Sequence, residues 1–243
     1  MDSAIAMPAG ISPEPMPRKR QIAEAAIITG CLLVLLPLAD NLHLTPRSML
    51  GGKPLIARHV VEIAIISYLL FRSGELATVL GFEARHRPQL IQATIGAVIV
   101  LCLLAAPANI QLRSSPELAE YARQLAVQAH SSPLAWILLL TRILPKELIR
   151  GFLLLRLGGS RSFSIPANLA QAALFGWVAI FGAIGLHGYQ FWSYFGETLL
   201  TFTTQAIVLG CAFQWSTSIW PGVAAWVAVT LIPLVVFSNL PPH

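Results

Sequence analysis

The chain has 243 residues, of which 56% are hydrophobic and 11% charged, with a mean hydropathy of +0.69. A soluble domain carries roughly 25% charged residues; this sequence lacks the polar residues to cover a water-facing surface and reads as an integral membrane protein. Its net charge of +5 and pI near 9.5 then belong to the flanks of membrane spans, not to nucleic-acid binding.

A membrane-crossing helix takes about 20 predominantly apolar residues, and about seven such segments follow one another. Residues 1–17, MDSAIAMPAGISPEPMP, are rich in Pro, Ala and Ser and predict a disordered cytoplasmic tail reaching about residue 20. The first span, 21–38, follows Arg18-Lys19-Arg20. PLADNLHL comes next and offers no small-x-small cleavage site, so the segment reads as an uncleaved anchor. A polar outer loop, 39–54, leads to the second span, 55–71, which is bounded by Arg58 and Arg72 and carries His59 and Glu62. An interfacial Arg58–Glu62 pair is the simpler reading of those residues, and a proton relay is the other. GFEARHRPQL, 81–90, is a charged inner connection to the third span, 91–110. Residues 111–132, with PELAEYARQLAVQA after Ser114-Ser115, predict a short outer surface helix. Spans four to seven fall near 133–156, 165–186, 191–215 and 217–237. Their connections are short, RLGGSRSFSIP among them, so they are expected to pack as antiparallel neighbours.

Orientation follows from the basic residues at the span ends. With the N-terminus in the cytoplasm, eight lie inside: Arg18, Lys19, Arg20, Arg72, Arg85, Arg87, Arg156 and Arg161. Five lie outside: Arg47, Lys53, Arg58, Arg113 and Arg123. The balance favours a multi-pass inner (plasma) membrane protein with a cytoplasmic N-terminus. Cys31, Cys102 and Cys211 stand singly in apolar runs and read as packing residues. No metal or cofactor is expected.

The fourth span, LTRILPKELIRGFLLLRL, carries Arg142, Lys146 and Arg150 at i, i+4 and i+8, one stripe of a helix. Glu147, three residues before Arg150, can pair with it. A charge at the centre of a bilayer helix costs about 2.5–3.5 kcal/mol even on lenient insertion scales. The stripe is therefore expected to face other helices or water, with a surplus of positive charge. Pro145 removes one backbone hydrogen bond from the helix. Arg142 and Glu197 fall at similar depths and can pair, which would make the charges structural; the alternative is a pocket for a ligand or peptide.

PKELIRGFLLLRL resembles the first motif, E-E-x-x-x-R, of the CPBP family, the CAAX-processing and bacteriocin-processing (Abi) membrane proteases. QAALFGWVAIFG, 171–182, resembles that family's F-x-x-x-H helix, and STSIWPGVAAWVAV, 216–229, is similar to its last motif, where S-I-W-P precedes a histidine and, four residues on, Asn. The likeness covers roughly residues 133–236. It implies an all-α polytopic membrane protein with a four-helix core in the C-terminal half. The chain then divides into a tail (1–20), three spans with an outer helix (21–132), the core (133–237) and a short tail (238–243).

In the family, the resemblance implies, a glutamate activates water while histidines and Asn stabilise the oxyanion. Here Pro145 and Lys146, or Lys146 and Glu147 with a one-residue deletion, stand at the two glutamate places. Ala179 and Trp226 stand at the histidines and Thr230 at the Asn; only Arg150 and Phe175 match. A lysine is ordinarily protonated at neutral pH and no histidine assists it, so little or no peptidase activity is expected. The leading expectation is a non-catalytic scaffold or accessory protein. Arg142, Lys146, Glu147, Arg150, Phe175, Ala179, Trp226 and Thr230 would line a cationic cavity for a partner's transmembrane segment or an anionic lipid. An active endopeptidase with Glu147 as base and Arg150 beside it is the alternative. A small transporter ranks last because no inverted repeat is found.

Overall fold

A computed structural model describes residues 17–31, 53–82, 87–114, 133–158, 163–187 and 191–238, and all regular structure among them is helical. The helices are α1 (Arg18–Gly30), α2 (Lys53–Arg72), α3 (Leu76–Val79), α4 (Arg87–Ser114), α5 (Pro133–Gly158), α6 (Ile165–His187), α7 (Phe191–Ser216) and α8 (Trp220–Ser238). Spans two to seven expected from the sequence fall on the long helices α2 and α4–α8, and the described part of the first falls on the 13-residue α1.

Proline marks where these helices begin. Pro54, Pro88, Pro133, Pro166 and Pro221 each occupy the first or second position of a helix. There the missing N–H is one of the unpaired donors in any case, and the fixed φ is already helical. Pro107 and Pro145 lie in helix interiors, and both helices carry on past them.

Some boundaries differ from expectation. Helix α1 starts at Arg18, inside the segment expected as tail, because the Pro17 carbonyl accepts the amides of Arg20 and Gln21 and opens the first turn. Residues 87–90 and 111–114, expected in connections, extend α4 at both ends. The remainder of the expected outer helix, the end of the first span and the tail before residue 17 lie outside the described residues.

Helix α5 is the hub and packs against α1, α2, α6, α7 and α8. Its Leu148, Ile149, Phe152, Leu153 and Leu154 form a core with Ala25 of α1, Ile66 and Leu70 of α2, Val79, Ala167, Phe213 and Ile219. A second core joins Ala93, Ala97 and Leu101 of α4 to Leu209 and Ala212 of α7 and Ala225 of α8. Helix α4 therefore packs with the C-terminal helices, and residue 132 is not a packing boundary. The reason is side-chain size: alanines at i and i+4 let α4 come close to α7 and α8.

At one end of the bundle, the connection 73–82 folds beneath α5 and the α7–α8 turn. The amide of Ile219 donates to the Val79 carbonyl at 3.0 Å, and the Trp220 indole N–H donates to the Leu80 carbonyl at 2.8 Å. Gly81, at φ +74°, lies against Ser218, and a Cβ there would sit 2.7 Å from the Ser218 hydroxyl. Glu75 reaches Arg156 at the foot of α5, 2.7 Å away, and the guanidinium lies over the Phe152 ring.

The distribution of polarity is unusual. Glu62, Glu147, Arg150, Arg156, Asn168 and Gln171 are buried, while Ile91, Ile95, Ile99 and Leu103 point outward from α4. Among the described residues one helix segment, Pro88–Pro107, is long and apolar enough to cross a membrane, and only 17% of its apolar window is buried inside the protein. A core helix of a soluble protein would have most of such a window covered.

Candidate functional site

Helix α5 brings Glu147 and Arg150 to one face, three residues apart and one turn along. They form an ion pair through Glu147 Oε1, and each residue is 2% exposed. From α8, the Trp226 indole N–H donates to the same Oε1 at 3.0 Å. The other carboxylate oxygen lies against α8 at Gly222, where any side chain would collide with it. Gly222 is thus the residue that lets the helix backbone approach the charge.

The network continues from the arginine. Arg150 Nε donates to Gln171 Oε1 at 3.3 Å, and the guanidinium lies over the Phe175 ring, 4.7 Å from its centroid. Gln171 and Phe175 are four residues apart on α6, so both meet the same cation. Gln171 Nε2 donates to Asn168 Oδ1 and to the Ala206 carbonyl, both at 2.7 Å. Asn168 Nδ2 donates to the Ile207 carbonyl of α7 at 3.1 Å and to Cys211 Sγ at 3.1 Å. One chain of polar contacts therefore runs from α8 through α5 and α6 to α7. Buried charges demand such partners, because an unpaired ion in this environment costs several kcal/mol.

Of the expected site residues, Glu147, Arg150, Phe175 and Trp226 converge. Lys146 does not join them. It is exposed, and its ammonium lies 5.9 Å from the centroid of the Trp226 ring. Around the helix it stands between Ile149 and Leu153 on one side and Arg150 and Ile143 on the other, all of them buried. The one carboxylate of the cluster is also taken by Arg150. The interior here holds one cation balanced by one anion, not a surplus of cations. Thr230 donates its hydroxyl to the Trp226 carbonyl within α8 at 2.9 Å, a bond internal to its own helix. The side chains of Arg142, Ala179 and Glu197, and so the Arg142–Glu197 pair, lie outside the described residues.

Gln171, Asn168 and Gly222 were missed in the sequence. Two amides three residues apart in an otherwise apolar helix were the available signal for the first two. Nothing local distinguishes Gly222, whose role depends on what stands opposite it. His59 and Glu62 are buried on α2 and form a pair at 2.7 Å; the side chain of Arg58, and so the Arg58–Glu62 pair, lies outside the described residues. No group of three or more His, Cys, Asp or Glu that could hold a metal occurs among the described residues.

Chemically, a carboxylate oxygen that already accepts from a guanidinium and an indole is a poor base for water. The arrangement suits a polar clasp that ties four helices together. No protein-family model matches the chain, and neither a curated protein nor a solved structure matches it. The likeness to CPBP proteases therefore rests on the motif residues alone.

Proposed function

We propose that this chain is a multi-pass membrane protein with a cytoplasmic N-terminus, built on a CPBP-like four-helix core, that no longer hydrolyses peptides. It serves as a scaffold or accessory protein that binds a membrane partner, either a transmembrane segment or an anionic lipid. The membrane reading is supported by polar residues turned inward, branched apolar residues turned outward, and the apolar outward face of α4. The observation that carries the loss of hydrolysis is the Glu147 carboxylate, 2% exposed and bonded through Oε1 to both Arg150 and Trp226. A general base must reach a water within hydrogen-bond distance; here Oε1 is filled by two donors and Oε2 is pressed against the α8 backbone at Gly222.

The test is cleavage of prenylated and unprenylated reporter peptides by the full chain in liposomes. Wild type and Glu147→Gln are expected to give the same background rate. Turnover by wild type that disappears in Glu147→Gln would restore the peptidase reading with Glu147 as its base.

A further inference from the structure

Resting on the reading of the chain as a membrane-spanning protein, we infer that exposed aromatic side chains at the 73–82 end of the bundle form its contact with a phospholipid headgroup layer. Five separate parts of the chain supply them. Phe71 comes from the last turn of α2, Phe82 from the connection, Phe163 from just before α6, Trp215 from the last turn of α7 and Trp220 from the start of α8. Each is between 45% and 75% exposed. Trp177 and Phe202, exposed in mid-helix, stand outside this group.

Contacts within the protein hold the five at one level. Trp220 donates its indole N–H to the Leu80 carbonyl, two residues before Phe82. Gln214, next to Trp215, donates from Nε2 to the Ser164 carbonyl at 3.1 Å, beside Phe163. The Gly74 amide donates to the Phe71 carbonyl, and Glu75 then reaches Arg156 at the foot of α5.

Helix length names what covers that level. Helices α2 and α8 have 20 and 19 residues, so they extend roughly 28–30 Å from the aromatic level to their far ends. That is one hydrocarbon thickness, about 30 Å. On α4 the outward isoleucines begin at Ile91, in the apolar segment that starts at Pro88. On α2 the exposed Arg72 follows Phe71 and leads into the polar connection. Apolar faces on one side of the rings and polar chain on the other are where aromatic side chains anchor in a bilayer. A soluble partner seated on this end would leave the match to bilayer thickness without a cause.

The experiment uses the full chain in phosphatidylcholine vesicles, with Cys31, Cys102 and Cys211 replaced by Ala. One nitroxide label at a time is placed through Phe71→Cys, Phe82→Cys, Phe163→Cys or Ile99→Cys, all at exposed positions. Depth is read from collisions with oxygen, which concentrates in the acyl chains, and with a nickel chelate, which stays in water. A headgroup layer is about 5–8 Å thick, and the labels at 71, 82 and 163 are expected to share one such layer. The label at 99, about 16 Å along α4 from Pro88, is expected at mid-membrane. Labels at 71, 82 and 163 that spread over more than twice that thickness, or that meet water alone, overturn the inference. With position 99 still among the acyl chains, either result leaves the membrane-spanning reading standing. Free collision of the label at 99 with the nickel chelate would end that reading and this inference with it.

Discussion

Glu147 and Arg150 are each acceptable inside the bundle only because the other is there. Taking away one partner of a buried pair leaves a desolvated ion, whereas taking away both leaves a packing problem of ordinary size. Arg150→Met is expected to destabilise the protein by about 3–5 kcal/mol, measured by denaturant titration in detergent. The double variant Glu147→Gln, Arg150→Met should recover at least half of that loss. A single variant as stable as wild type would mean that the pair is not enclosed.

Helix α5 and the connection 73–82 act together at one end of the bundle. Arg156 is buried at the foot of α5, where its Nη1 donates to Glu75 at 2.7 Å, and its Nε has no hydrogen-bond partner among the described residues. Hydrogen bonds to charged groups contribute about 1.5–3 kcal/mol, and the Glu75 side chain, 31% exposed, brings this one to the lower part of that range. Glu75→Ala is expected to cost about 1–2 kcal/mol and to speed amide exchange in residues 73–82 selectively. The α4–α8 contact should exchange as in wild type. Uniform acceleration along the chain would show that the connection is not a separately held element. Trp220 and Ile219, which donate to the same connection from the α7–α8 turn, make its docking cooperative with the packing of α8.

At the scale of the whole molecule, several charged and amide side chains are buried with the apolar core, and on α4 small residues face inward and large branched residues outward. Ala93, Ala97 and Leu101 bury one side of α4, while Ile91, Ile95, Ile99 and Leu103 cover the other. In water this would leave a broad apolar surface, which monomeric soluble proteins rarely expose; in lipid it is the expected partition. A single cysteine at position 95, in a background with Cys31, Cys102 and Cys211 replaced by Ala, should resist a water-soluble maleimide from both sides of sealed vesicles. A cysteine at Phe82, 75% exposed beside the end connection, should react. Rapid labelling at position 95 would place α4 outside the membrane and end the multi-pass reading.

Helix existence was legible in the sequence because long apolar runs with prolines at their starts leave the backbone few alternatives. The Glu147–Arg150 pair was legible too, since three-residue spacing is a property of one helix. What stood opposite them was not. Phe175 and Trp226 were expected beside the pair only through the family resemblance, whereas Gln171 from α6 and the bare backbone at Gly222 meet it only after α5, α6 and α8 pack, and no spacing along the chain encodes that meeting. The place of α4 among the C-terminal helices likewise follows from alanine faces fitting across 100 or so residues of chain. Local periodicity fixes which residues share a face of one helix, so the sequence by itself determined the helices and their charged stripe. Which face meets which neighbour is a matter of packing between distant segments, and only the tertiary structure decided that Arg150 is enclosed while Lys146 remains exposed.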